Sequence, residues 1–190
     1  MTDIKVGFAM CGSFCTFDKA LQQMEELIRR GFQVVPIMSY HAFSIDSRFG
    51  KAADFRQRIE TLCNRNIIAT IPEAEPLGPR HLTDIMVVAP CTGNTAAKLA
   101  HAVTDTPVTM AVKSHLRQRK PVLLCLATND ALGASAQNIG KLMNTRHYYF
   151  VPFGQDDPVK KPNSLVADFS LLPEALLHAL KDEQLQPVLC

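Results

Sequence analysis

Four short segments of the chain concentrate residue types that can hold a ligand. The first is Cys11-Gly12-Ser13-Phe14-Cys15-Thr16. A glycine lets the backbone approach an anion, a serine hydroxyl donates to it, and a helix beginning just afterwards presents unsatisfied N–H groups. The pattern suits a phosphate. It is neither GxGxxG nor a Walker loop, and an ordinary strand-to-helix turn uses the same residues. The second segment is Ser39-Tyr40-His41-Ala42-Phe43, where Ser39 suits a second phosphate donor and Tyr40, His41 or Phe43 a surface for a planar ring. The plain alternative is that Phe43 closes the core and His41 is solvated. The third, Pro90-Cys91-Thr92-Gly93-Asn94-Thr95, is the richest. One polar residue suffices to cap a helix. The surplus of hydroxyl, amide and backbone groups points to recognition of a heterocycle edge and an anion. In the fourth, Ala127-Thr128-Asn129-Asp130, the Asn129 amide suits a carboxylate, while Asp130 suits the cap of the next helix.

A fifth segment, GQDDPVKKPNS at 154–164, carries Lys160, Lys161 and Asn163 and is long enough to fold over a site. A solvated connector is the alternative that composition alone allows. The basic run KSHLRQRK at 113–120 spreads around a helix and reads as a solvated face. His101, His115, His147 and His178 are expected to be solvated too. No residue declares itself a catalytic acid or base, and no metal site is expected. The six cysteines form no CxxC pair and have no ligand spacing to a histidine pair, so free thiols in a reducing compartment are expected.

The elements that must position these segments follow from hydrophobic patterning. Residues 4–10 (IKVGFAM), 32–38 (FQVVPIM), 84–89 (DIMVVA), 121–127 (PVLLCLA) and 148–152 read as buried strands, with 66–71 (NIIATI) as a short additional one. Phe17, Ala20, Leu21, Met24, Leu27 and Ile28 recur at helical spacing, with Thr16 as the N-cap and Gly31 as the stop. Further helices are predicted over 52–63, 96–103, 108–118, 133–144 and 171–180. Strands that are apolar throughout and alternate with helices imply a parallel sheet covered on both faces. The expectation is a three-layer α/β/α sandwich, flavodoxin-like and doubly wound, as a single domain over 1–190. Ligands in such sheets bind beyond the carboxyl ends of the strands, where strand order reverses. All four segments fall there.

Composition narrows the class. Among 190 residues, 47% are hydrophobic and 20% charged, a globular balance. Twenty basic against eighteen acidic residues give a formal charge of +2, which is unlike a dedicated nucleic-acid or polybasic membrane binder. No apolar run approaches the roughly 18 residues of a spanning helix. The start, MTDIKVGFAMCGS, lacks signal-peptide features, so a cytoplasmic location is expected.

Together these motifs resemble the homo-oligomeric flavin-containing cysteine decarboxylase family of flavoproteins. Gly12-Ser13 is similar to the family's phosphate loop. Pro90-Cys91-Thr92-Gly93-Asn94-Thr95, with Lys98 following, is similar to its Pro-Ala-Ser-Ala-Asn-Thr signature, and Leu126-Ala127-Thr128-Asn129 to its Pro-Ala-Met-Asn substrate loop. The resemblance implies FMN held by Gly12, Ser13, Phe14, Ser39, Phe43, Pro90, Thr92, Gly93, Asn94 and Thr95, and a trimer-based homo-oligomer. It places the substrate at Asn129, with Lys160, Lys161 and Asn163 closing over it. The chain departs from the decarboxylases where a catalytic histidine precedes the fourth expected strand. That position falls near Pro76, and His81 is out of register. The methionine and tryptophan that follow the substrate asparagine are missing as well. Residues 89–117, 128–145 and 148–164 instead resemble one member of the family over most of their length. That likeness implies oxidation of a dihydrodipicolinate-type intermediate to pyridine-2,6-dicarboxylate. It further implies a partner, the A subunit of the same enzyme, that carries NADP, and the mother-cell cytoplasm of a spore-forming bacterium. A flavin-dependent decarboxylase, or a scaffolding subunit that has lost FMN, are the alternatives.

Overall fold

A computed structural model describes residues 3–190, with Met1 and Thr2 of the expected 1–190 domain outside the described residues. Five strands form the parallel part of one sheet: β1 (Lys5–Met10), β2 (Gln33–Met38), β3 (Ile85–Cys91), β4 (Val122–Thr128) and β5 (Tyr148–Phe150). Their order is β2-β1-β3-β4-β5, so the order reverses between β1 and β3. Every residue of β3 is buried, as a central strand covered on both faces must be. Each fully buried aliphatic or aromatic side chain there contributes about 1.5–3 kcal/mol relative to exposure. This core fixes where the strand ends, and therefore the site, must lie.

Two sets of helices cover the sheet. One comprises α1 (Phe17–Arg29), α3 (Ala52–Cys63) and α8 (Leu172–Ala179), with the short α2 (Tyr40–Ser44) packed on α3. The other comprises α4 (Ile71–Ala74), α5 (Gly93–Ala100), α6 (Pro107–Leu116) and α7 (Ala136–Met143). Helix α1 buries Phe17, Ala20, Leu21, Met24 and Leu27, the stripe that its spacing predicts. It stops at Gly31, whose φ of 90° is the left-handed conformation that glycine supplies at a helix end.

The structure corrects four readings. The sheet is mixed: β7 (Leu165–Ala167) runs antiparallel to the carboxyl end of β4, and β6 (Phe153–Gly154) runs antiparallel to β7. Parallel pairing needs a crossover, usually helical, of a dozen or more residues, and the 155–164 connection provides none. Residues 66–71 are not a strand. Only Ile68 bridges to Ile37, and Thr70 instead opens α4 through a reciprocal capping box with Glu73. Thr16 does occupy the N-cap position of α1, but its side chain makes no capping bond, its hydroxyl donating instead to the Ser13 carbonyl at 2.9 Å. Finally, His115 is buried, not solvated. Its Nε2 lies 3.0 Å from the Pro121 carbonyl and its Nδ1 lies 2.8 Å from the Thr83 hydroxyl. The carbonyl can only accept, so Nε2 donates and the neutral Nδ1 accepts from Thr83. Both ring nitrogens are thereby satisfied indoors.

Candidate functional site

The loops after β1, β3 and β4 meet in a cleft of about 860 Å³ beyond the carboxyl ends of the strands, at the reversal of strand order. Each loop is shaped by its own local chemistry. After β1 the chain makes a single 3-10 turn, Phe14–Thr16, before entering α1. The Ser13 hydroxyl has one side-chain neighbour, the Cys15 thiol at 3.8 Å, and remains able to donate to a ligand. After β3, Thr92 is the N-cap of α5. Its hydroxyl oxygen accepts from the Thr95 amide at 3.2 Å and its proton goes to the Thr95 hydroxyl at 3.1 Å. Capping is thus assigned to Thr92 and Thr95. Asn94 is left exposed at the cleft, with no side-chain hydrogen bond among the described residues. Asn129, after β4, is in the same condition.

Asp130 does not cap α7 directly. Its carboxylate accepts hydrogen bonds from Thr128, and from Ser135 at 2.9 Å. That polar cluster presses on Gly93: a Cβ there would meet Thr128 Oγ1, Asp130 Oδ1 and Ser135 Oγ, each at 2.7 Å. Only glycine fits.

Of the expected site residues, Gly12, Ser13, Phe14, Thr92, Gly93, Asn94, Asn129 and Lys161 line one cleft. Six others lie outside its lining. Ser39 is the N-cap of α2, its oxygen accepting from the Ala42 amide at 3.3 Å and its amide donating to the Met10 carbonyl. It therefore stands beside the first loop with its hydroxyl proton still available. Phe43 is held beneath the Arg56 guanidinium, 4.6 Å above its ring, and Arg56 also donates to the Phe43 carbonyl. Pro90 and Thr95 are buried in the walls. Lys160 is exposed, with its amide donating to Asp157 Oδ1 at 2.9 Å. Asn163 acts through its carbonyl, which accepts from the Leu132 amide at 3.0 Å and ties the 155–163 loop to the loop after β4.

Charge in the cleft is divided unevenly. Lys161 pairs with Asp156 at 2.8 Å, which lowers the Asp156 pKa and raises that of Lys161. Both side chains are partly solvated, so the pair contributes little to stability. Lys19, Arg48 and Phe49 also line the cleft and were not singled out by sequence reasoning. The position of Lys19 in the first turn of α1 was a readable signal. Arg48 and Phe49 sit in an irregular segment that gave none. Cys11, beneath the first loop, has its pKa raised to about 11, chiefly by burial, with a Thr95 hydrogen bond and Lys98 opposing. It stays a thiol at neutral pH and is not a nucleophile there. Lys98 itself reaches Asp105 at 2.8 Å. None of the six histidines lines the cleft. His81 lies just ahead of β3, at the amino end of that strand.

Comparison with known proteins gives the family and the fold. The chain is 47% identical over 185 residues to the B subunit of dipicolinate synthase from Bacillus subtilis (strain 168), covering 97% of this chain and 92% of that one. A crystal structure of the dipicolinate synthase B subunit from Bacillus halodurans C superposes with a TM-score of 0.91 at 44% identity, covering 100% and 98% of the two chains. Burkholderia xenovorans DmrB in complex with FMN shares the fold, with a TM-score of 0.71 at 18% identity over 94% and 96% of the chains. The sequence model described as Flavoprotein matches residues 1–168, which include β1 through β7 and all three loops of the cleft, and the chain belongs to the Flavoprotein family.

Proposed function

We propose that this chain is the FMN-binding subunit of a dipicolinate synthase. In this reading it works with an NADP-binding A subunit to oxidise a dihydrodipicolinate-type intermediate to pyridine-2,6-dicarboxylate. The observation that carries the reading is the convergence of the Gly12-Ser13 and Gly93-Asn94 loops on one cleft at the reversal of strand order. The likeness to the Bacillus subtilis protein, a B subunit of dipicolinate synthase, supports a dipicolinate-forming reaction and a second subunit. The residues present fit a flavin phosphate and ring: a 3-10 turn with a donor-ready Ser13, Ser39 beside it, and an Asn94 amide without a protein partner. Bound there, FMN supplies a two-electron acceptor for hydride removal from a dihydropyridine. Gly12, Ser13 and Ser39 hold the phosphate, Thr92 and Gly93 shape the ring's edge, and Asn94 hydrogen-bonds to it. Asn129 donates its amide to a substrate carboxylate. A homo-oligomer in the cytoplasm of a sporulating mother cell completes the reading.

Reconstitution tests it. This chain alone should make little dipicolinate, and addition of the A subunit should restore synthesis. Full synthesis by the A subunit without this chain overturns the assignment. A required but flavin-free chain would instead mark a scaffold. Decarboxylation fits less well, because the family's histidine position falls near Pro76 and His81 lies at the amino end of β3, away from the cleft. Carbon dioxide release from cysteine-type substrates is the corresponding assay.

A further inference from the structure

Three cations and two carboxylates line the cleft: Lys19, Arg48 and Lys161 against Asp130 and Asp156. Lys161 and Asp156 neutralise each other at 2.8 Å. Asp130 is occupied by the hydroxyls of Thr128 and Ser135. Lys19 and Arg48 therefore remain as the two lining cations with no anionic partner among the described residues. They come from different crossovers, Lys19 from the first turn of α1 and Arg48 from the segment between α2 and α3. The Arg48 guanidinium carbon lies 4.9 Å from the Phe49 ring centroid, and Phe49 lines the same cleft. Stacking against a ring restricts a guanidinium while leaving its planar edge able to take a carboxylate with two parallel hydrogen bonds.

We infer that Lys19 and Arg48, and not the lysines of the 155–163 loop, supply the positive charge that recognises a small planar dicarboxylate in this cleft. The inference rests on the functional reading above for the identity of the ligand. A ligand with two carboxylates is matched by two unpaired cations and the neutral Asn129 amide. Asp130 and Asp156, fixed by their own partners, disfavour ligands that bring carboxylates elsewhere. The other dianion that this pair could serve is the phosphate of the cofactor, and the experiment separates the two.

Calorimetric titration of pyridine-2,6-dicarboxylate and of pyridine-2-carboxylate into the full-length chain, with and without FMN, is the test. The variants are Lys19→Gln and Arg48→Gln, with Lys141→Gln as a charge control on the exposed face of α7. The expected result is a loss of about threefold to fivefold in dicarboxylate affinity for each cleft variant and a smaller loss for the monocarboxylate. Both losses should shrink as ionic strength rises. FMN affinity should stay within about twofold of wild type, and the control should bind normally. Unchanged dicarboxylate affinity in both variants, or no dicarboxylate binding by the wild type, overturns the inference. A loss confined to FMN also overturns it and assigns the cations to the phosphate. Failure of the chain to take up FMN counts against the functional reading instead. The same cation dependence in flavin-free protein would then still uphold the pair.

Discussion

Gly93 and Asp130 stand so close that a Cβ on Gly93 would lie 2.7 Å from Asp130 Oδ1. The start of α5 therefore packs its bare backbone directly against the anchored carboxylate of the loop after β4. Gly93→Ala must push the Thr128–Asp130–Ser135 cluster aside, and overpacking of this kind costs about 1–3 kcal/mol. The variant should unfold at lower denaturant concentration and bind FMN more weakly. An unchanged unfolding midpoint would show the cluster to be soft.

Asn94 and Asn129 separate function from fold. Both are exposed and have no side-chain hydrogen bond among the described residues, so alanine at either position should change stability by less than about 0.5 kcal/mol. Asn94→Ala should reduce FMN affinity by about 1–3 kcal/mol if it leaves a buried ring atom unpaired. Asn129→Ala should leave FMN bound while reducing dipicolinate synthesis with the A subunit. Equilibrium binding and turnover on the same preparations check both.

His115 makes stability depend on pH. Burial is the main cause that lowers its pKa from 6.5 to about 4, with the Pro121 carbonyl opposing. The neutral ring is the folded form. Between these two values the unfolded chain takes up a proton that the folded chain refuses, so stability falls as pH drops from about 6.5 toward 4. The full loss from this one group approaches about 3 kcal/mol. His115→Gln should be less stable at neutral pH yet show a flatter stability profile across that window. An equally steep profile in the variant would assign the dependence elsewhere.

The central strands and the loops at their ends were legible because both rest on local signals. Apolar runs such as 84–89, short and bounded by turn residues, read as buried strands, and the polar surplus of Thr-Gly-Asn at a strand-to-helix junction exceeds what a cap needs. The antiparallel β6–β7 return was not legible, since strands of two and three residues carry no periodicity. The burial of His115 was hidden because its partner Thr83 is distant in sequence and Pro121 offers only a backbone carbonyl just ahead of β4. Thr70 and Glu73 do display a capping box, a local signal that outweighs the apolar character of 66–71. Arg48 and Phe49 reach the cleft from an irregular segment whose path only the folded chain defines.

FMN retention by the purified chain tests the central claim most directly. The protein is mixed with FMN, desalted, and its visible absorption compared with that of a Ser13→Asp variant treated identically. The wild type should keep flavin with shifted absorption bands, and Ser13→Asp should lose it, because a carboxylate beside Gly12 repels the phosphate. A wild-type chain that emerges colourless, alone and with the A subunit present, would contradict the account.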